Sequence, residues 1–300
     1  MAMLCGSFIA ELNPLAPNTR KIKRGDWPKL VEKEQLMIRK KSVWKSPDSR
    51  YRDLFRDKLT NVFNRSQRSC EKKHYSDLAS QLRQAGFLLG FLSDQMLTIK
   101  ESPPGFHGGG LYLIRCKKAV SLVIQAPHSY FDLKTGKLAT MLFFESQVRA
   151  LFLNTIHRYQ SEPGEKKEDP VHPADVAHEP GSWFHAATVG AALGLSSLRF
   201  VQLHGFEQRK SQSQLILSSG LPNHPPRILS QGLNAHFAPL ETFGINGKIL
   251  GATTNVQQQA LNQMRPGSFV HLEMPLTLRE KLINSVELRK HLLEALNSEW

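Results

Sequence analysis

Cysteine is scarce in this chain: Cys5, Cys70 and Cys116 are the only three in 300 residues. Their odd number and wide spacing argue against a disulfide framework and against a Cys-x-x-Cys metal knuckle, and they fit a reducing compartment. No apolar run comes near the roughly 20 residues of a membrane span. The opening "MAMLCGSFIA" lacks the basic start and long apolar stretch of a secretory leader. The expectation is a soluble, cytoplasmic protein with no membrane partner. Chemistry-bearing motifs are missing too. Without a Gly-x-Ser-x-Gly elbow a serine hydrolase is disfavoured. Without a Walker A sequence, or a Gly-x-Gly-x-x-Gly turn opening a helix, the common nucleotide sites are disfavoured as well.

Acidic residues are also in short supply. The chain has 26 Asp+Glu against 39 Lys+Arg, a net charge of +13. The excess is uneven: residues 1–75 hold 18 Lys+Arg and 8 Asp+Glu, a surplus of +10 that leaves +3 for the other 225 residues. This places a boundary near residue 75, between a basic, partly helical segment (1–75) and a main domain (76–300). Such a segment offers a phosphate-contacting surface for nucleic acid or another polyanion. A solvated basic helical face is the plainer reading.

What is present is a strand–helix alternation. Helical patterning runs through "SDLASQLRQAGFLLGFLSDQML" (76–97), and "SPPGFHGGG" then breaks it. "LYLIRC" and "AVSLVIQAP" read as strands paired around Lys117-Lys118. A helix follows from Thr135 with Met141, Phe144 and Val148 on one face. Further strands are expected at 150–156, 197–206 and 268–276, with a helix at "WFHAATVGAALGL" and a long polar loop over 161–182. One closing helix is expected after Thr277 as N-cap, with Leu282, Leu288, Leu292 and Leu293 facing inward. This order argues for an α/β fold: a mostly parallel central sheet flanked by helices.

Four of those strands end in residues able to bind metal or move protons. "LVIQAP" leads to His128, "ALFLNTI" to His157-Arg158, "RFVQL" to His204, and "SFVHLEM" carries His271 and Glu273 on one face. In open α/β sheets the ligand lies outside the carboxyl ends of the strands. A hydrolytic zinc site needs three His or Asp/Glu ligands and an open position, with a separate carboxylate to take the water's proton. His128, Asp132 and His204 supply three ligands for one Zn2+ per chain, and Glu273 the general base, with His157 next in line. Glu145 competes with Asp132 for the second ligand; a salt bridge is its plainer role. Arg158 suits a substrate anion, or an ion pair with Asp175 or Glu179. His178 and His185 flank the "EPGSWF" turn and would reach the site only if that loop folded over it. "HGGG" (107–110) has the look of an oxyanion-type turn.

"APHSYFD", "LFLNTIHRY", "VQLHGF", "GATTN" and "VHLEMPLTLR" together resemble, in order, the N-formylglutamate amidohydrolase-like proteins within the zinc carboxypeptidase-like hydrolases. The family's Pro-His-Ser, Arg-bearing strand end, His turn, Asn turn and final Leu-Glu look like Pro127-His128-Ser129, Arg158, His204-Gly205, Asn255 and Leu272-Glu273. The resemblance covers residues 106–293 and implies a carboxypeptidase/phosphorylase-hydrolase-like fold. It also implies zinc-dependent hydrolysis of an amide or peptide-like bond in a small or peptide-like anionic substrate. The chain departs from the family pattern in "PHSY" and "LHGF", and the His-x-x-Glu spacing of carboxypeptidases is absent. The rival reading is a hydrolase-like binding protein that has lost catalysis and uses its basic front segment to hold nucleic acid or a partner.

Overall fold

The computed structural model describes residues 24–160, 172–207 and 212–300. Nine strands form one mixed sheet: β1 (Phe87–Ser93), β2 (Met96–Glu101), β3 (Leu111–Arg115), β4 (Val120–Ala126), β5 (Val148–Leu153), β6 (Arg199–Phe206), β7 (Leu215–Ser218), β8 (Leu240–Thr242) and β9 (Phe269–Pro275). Their spatial order is β1-β2-β3-β5-β4-β6-β9-β7-β8. The four central strands β5, β4, β6 and β9 run parallel. The β1–β2–β3 meander joins them antiparallel through β3–β5, and β7 pairs antiparallel with β9. At the far edge β8 pairs parallel with β7. The fold is thus α/β as expected, with a parallel centre inside a mixed sheet.

The central strands are apolar on both faces because helices cover both. One face packs α4 (Thr135–Glu145), α6 (Arg227–Asn234), α8 (Leu276–Asn284) and α9 (Val286–Asn297) over Ile124, Leu151, Val201 and Leu272. The other packs α2 (Ser49–Ser66), α3 (Ser76–Gln84), α5 (Trp183–Gly194) and α7 (Val256–Met264) over Val123, Phe152, Phe200 and Phe269. Gly190 and Gly194 let α2 lie close on α5: a Cβ at Gly194 would sit 2.3 Å from the Thr60 carbonyl oxygen. The remaining helix, α1 (Trp27–Lys41), has Pro28 in its first turn and Arg39, Lys40 and Lys41 in its last, where cations complement the helix dipole. It docks over the loops after β4 and β5: Tyr130 Oη donates to Gln35 O at 2.7 Å, and Gln35 Nε2 donates to Asn154 O at 2.9 Å.

Several expectations change. The helix expected over 76–97 stops at Gln84, and a strand begins at Phe87. Gly86, at φ +85, turns the chain, and an unbroken apolar run such as "GFLLGFL" has no period to separate helix from strand. β3 and β4 are not paired; β5 lies between them. The buried face of α4 is Leu138, Ala139, Leu142 and Phe143, and Val148 belongs to β5. The closing helix is two helices: Ser285 ends the first and caps the second, accepting from Leu288 N at 3.1 Å, and Pro275 rather than Thr277 precedes the first.

The basic segment, over its described part, shares the core. Phe55, Leu59, Val62 and Phe63 of α2 are fully buried against β1, β3, β5 and α5. Cys70 and Cys116 are joined by a disulfide, tying residue 70 to the end of β3 and correcting the expectation of no disulfide framework. Of the long loop expected over 161–182, residues 161–171 lie outside the described part. No helix among the described residues is long and apolar enough to cross a membrane.

Candidate metal centre

The strand order puts a switch point at β4 and β6. From β4 the chain runs through α4, on one face, to β5; from β5 it returns through α5, on the opposite face, to β6 on the far side of β4. A crevice opens where such connections diverge. His128 and Asp132 follow β4, and His204 lies near the end of β6.

Local turns aim these side chains at one point. After Pro127 the chain makes a helical turn: Asp132 N donates to His128 O at 2.8 Å, so the two side chains, four residues apart, face the same way. Asp132 Oδ2 lies 3.4 Å from His128 Nδ1 and 3.4 Å from His204 Nδ1. All three residues are buried. Burial alone would raise the Asp132 carboxyl; His128 and His204 outweigh it and hold it well below the usual carboxylate range. Burial pushes His204 down to about 4, and the charges of His128 and Arg158 push the same way.

The outer nitrogens of both imidazoles are committed elsewhere. His128 Nε2 lies 2.8 Å from Asp175 Oδ1, and His204 Nε2 lies 3.1 Å from Gln202 Oε1. Asp175 comes from the turn at 172–179 and also meets Arg158 Nη2 and, at 3.2 Å, His178 Nδ1. Its partners hold it below the usual carboxylate range despite burial. Asp175, one of the two partners considered for Arg158, takes its Nη2, and the partly exposed guanidinium lies over the rings of Phe131 and Tyr159.

Glu273 reaches the cluster through the sheet. The β6–β9 register sets Glu273 beside His204 and His271 beside Gln202. His271 Nε2 lies 3.5 Å from Glu273 Oε1, and its ring centroid is 4.3 Å from that of His204. Burial drives His271 far below its ordinary value, and the charges of His204 and His128 push the same way. Arg279 occupies the space that a side chain at Gly205 would take: a Cβ there would lie 2.5 Å from its Cζ. Its guanidinium donates to Leu133 O and feels the charges of Asp132 and Glu273.

Three triads of possible ligand atoms therefore overlap: His128–Asp132–His204, His128–Asp175–His178 and His204–His271–Glu273. The first fits a zinc-like cation. An imidazole that donates its Nε2 proton to an oxygen outside presents a bare Nδ1 inside; both Nδ1 atoms face Asp132 Oδ2, and that of His128 also lies 3.4 Å from Arg158 Nη1. So close an approach of buried nitrogen and carboxylate oxygen needs a positive charge between them, a metal ion or a proton on an imidazole. Burial pulls His128 down, but Asp132 and Asp175 outweigh it and raise His128 above its ordinary value. Two imidazoles and one carboxylate, with outer acceptors fixing the rings, are also a donor set that suits zinc.

The other sequence candidates lie apart. His157 packs on Phe131 and accepts from Tyr159 N at 3.2 Å; it joins none of the triads. Glu145 accepts two hydrogen bonds from Arg289, at 2.7 and 2.8 Å, and the salt bridge is its role here. The "HGGG" turn wraps the chain's own carboxylate, Glu101, which accepts from His107 N and from Gly109 N at 2.7 Å. Sequence reading missed Gln202 and did not single out Asp175 or Arg279 as parts of the site. The sequence offers Asp175 only as an ion-pair partner for Arg158, and an amide inside an apolar strand, such as Gln202, carries no signal of its own.

No family model matches the chain, and no curated protein matches it in sequence. Among solved structures, an N-formylglutamate amidohydrolase from Ralstonia eutropha JMP134 aligns with a TM-score of 0.33 at 11% identity, over 59% of this chain and 94% of that one.

Proposed function

We propose that this protein is a zinc-dependent hydrolase that cleaves an amide or peptide-like bond. The observation that supports it is the convergence of His128 Nδ1, His204 Nδ1 and Asp132 Oδ2, with both Nε2 atoms directed at outer oxygens. Zinc, when bound, supplies Lewis acidity and brings the pKa of water toward neutrality. The chain's own residues do the rest. Asp175 and Gln202 hold the two rings. Glu273, buried beside His204, takes the proton of the attacking water and returns it to the leaving nitrogen. Arg279 places a positive charge near Glu273, and His271 Nε2 lies beside its carboxylate. Arg158, pinned by Asp175 and partly exposed, is the cation beside the site for an anionic substrate group.

The test is metal content by elemental analysis of purified protein. One zinc per chain is expected, lost in His128→Ala and in His204→Ala and weakened in Asp132→Ala. Full zinc in both histidine variants would overturn the assignment. Loss of zinc in Glu145→Ala but not in Asp132→Ala would move the second ligand.

A further inference from the structure

Behind His204 lies a chain of buried amides on the sheet face covered by α5 and α7. Gln125, Gln202, Gln257 and Thr188 have no exposed surface, and Asn255 has almost none. An amide end is NH2 or O, and its shape alone does not say which. Here backbone groups of fixed character decide it.

Thr188 Oγ1 donates to the Phe184 carbonyl at 3.0 Å, so its oxygen can only accept from Gln125, at 2.8 Å. Gln125 therefore presents Nε2 to Thr188 and Oε1 to Gln202. Gln257 faces the Val176 carbonyl at 2.7 Å, a pure acceptor, so its Nε2 points there and its Oε1 also faces Gln202. With oxygens at 2.9 Å (Gln125) and 3.2 Å (Gln257), the near end of Gln202 must be its NH2. Its Oε1 then points the other way. Asn255 reaches the same result independently: its Oδ1 accepts Gln258 N at 3.0 Å, so its Nδ2 donates to Gln202 Oε1 at 2.7 Å.

The remaining neighbour of Gln202 Oε1 is His204 Nε2, 3.1 Å away. Opposite an acceptor, that nitrogen must carry the hydrogen. We infer that the Thr188–Gln125–Gln202 chain, locked by Gln257 and Asn255, sets the tautomer of His204 and so turns its bare Nδ1 toward Asp132. Gln202 is the positioning residue, and Thr188, which touches none of the proposed ligands, is the distal anchor. Val176 directly follows Asp175, so the same amide chain also tethers the turn that holds the Nε2 of His128. Both imidazoles are thereby referenced to one buried network. The inference rests on the metal reading of the site but concerns residues outside the ligand set.

Two substitutions at Thr188 separate hydrogen bonding from packing. Thr188→Val keeps the shape and loses the hydroxyl; Thr188→Ser keeps the hydroxyl and loses a methyl group. If Thr188 were only a packing residue, Ser would be the worse replacement. The network makes Val the worse one, because Gln125 is then free to reverse. Zinc affinity of the full-length chain, by chelator competition, should fall roughly 3–10-fold in Thr188→Val and stay within about twofold in Thr188→Ser, below the ~10–100-fold loss when a direct outer partner is removed. Gln202→Met should show that larger loss. In zinc-loaded protein labelled with 15N at histidine, NMR should find the His204 proton on Nε2. Equal affinities in Thr188→Val and the unaltered chain, or a proton absent from Nε2, would overturn the inference while leaving the metal site standing. A chain that takes up no zinc would sink both.

Discussion

His128 and Asp175, 47 residues apart, meet at 2.8 Å through Nε2 and Oδ1, and that contact turns a loop residue into part of the candidate metal centre. Carboxylates behind metal-binding imidazoles fix the ring and raise its basicity. Asp175→Asn keeps the shape and removes the charge. Zinc affinity should fall about 10–100-fold with the fold unchanged, as read by chelator competition and circular dichroism. Unaltered affinity would detach Asp175 from the site.

Glu273→Gln keeps the side chain's size but cannot accept a proton. It should preserve fold and zinc content while slowing hydrolysis of a responsive amide by about 10²-fold or more. Near-normal turnover would remove Glu273 from the mechanism. Loss of zinc would make it a ligand instead.

Glu145→Ala should leave zinc content untouched and lower thermal stability. Arg289 is almost fully buried and would lose a two-point partner; the cost is about 2–4 kcal/mol, less than for a wholly buried pair because Glu145 is a third exposed. Thermal denaturation followed alongside metal analysis separates this role from ligation.

Burial pushes the Glu101 carboxyl from 4.5 up to about 7, even though the backbone N–H groups of Gly109, His107 and Gly108 pull it down. Between those two values the folded chain keeps a proton that the unfolded chain releases. The stabilising contribution is therefore full below pH 4.5 and disappears as pH rises through 7, by about 3 kcal/mol in all. Glu101→Gln does not titrate. Denaturant melts from pH 4.5 to 8 should show the difference in stability between this variant and the unaltered chain changing by that amount; a constant difference would place the carboxyl's titration outside the window.

Removing residues 1–75 should not leave a folded remainder. It strips Phe55, Leu59, Val62 and Phe63 from one face of the sheet and breaks the Cys70–Cys116 link. A soluble truncated chain with a cooperative melt would show that the basic segment is separable after all.

Much of the architecture was legible in the chain because burial on both faces writes itself as short apolar runs. β4, β5, β6 and β9 are all visible that way, and so are the histidines at or near the ends of β4 and β6. Periodicity says that a segment is a strand and which residues share a face, but not which strand lies beside it. That is why β3 and β4 read as a hairpin when β5 separates them.

The order of amino acids carries the ingredients of the site: His128 and Asp132 four residues apart after one strand, His204 in another, and Glu273 in a third. Their relations to one another come from the packing of distant segments. The switch between β4 and β6 brings His128 to His204, and parallel pairing of β6 with β9 sets Glu273 beside His204. Asp175 became an imidazole partner and Glu145 a salt-bridge residue for the same reason: a carboxylate's role is set by the charge and burial around it, and those come from residues distant in the chain. Gln202 shows the limit most plainly. Its amide gains direction only from backbone groups at Phe184, Val176 and Gln258, which the fold brings around it and no local pattern encodes.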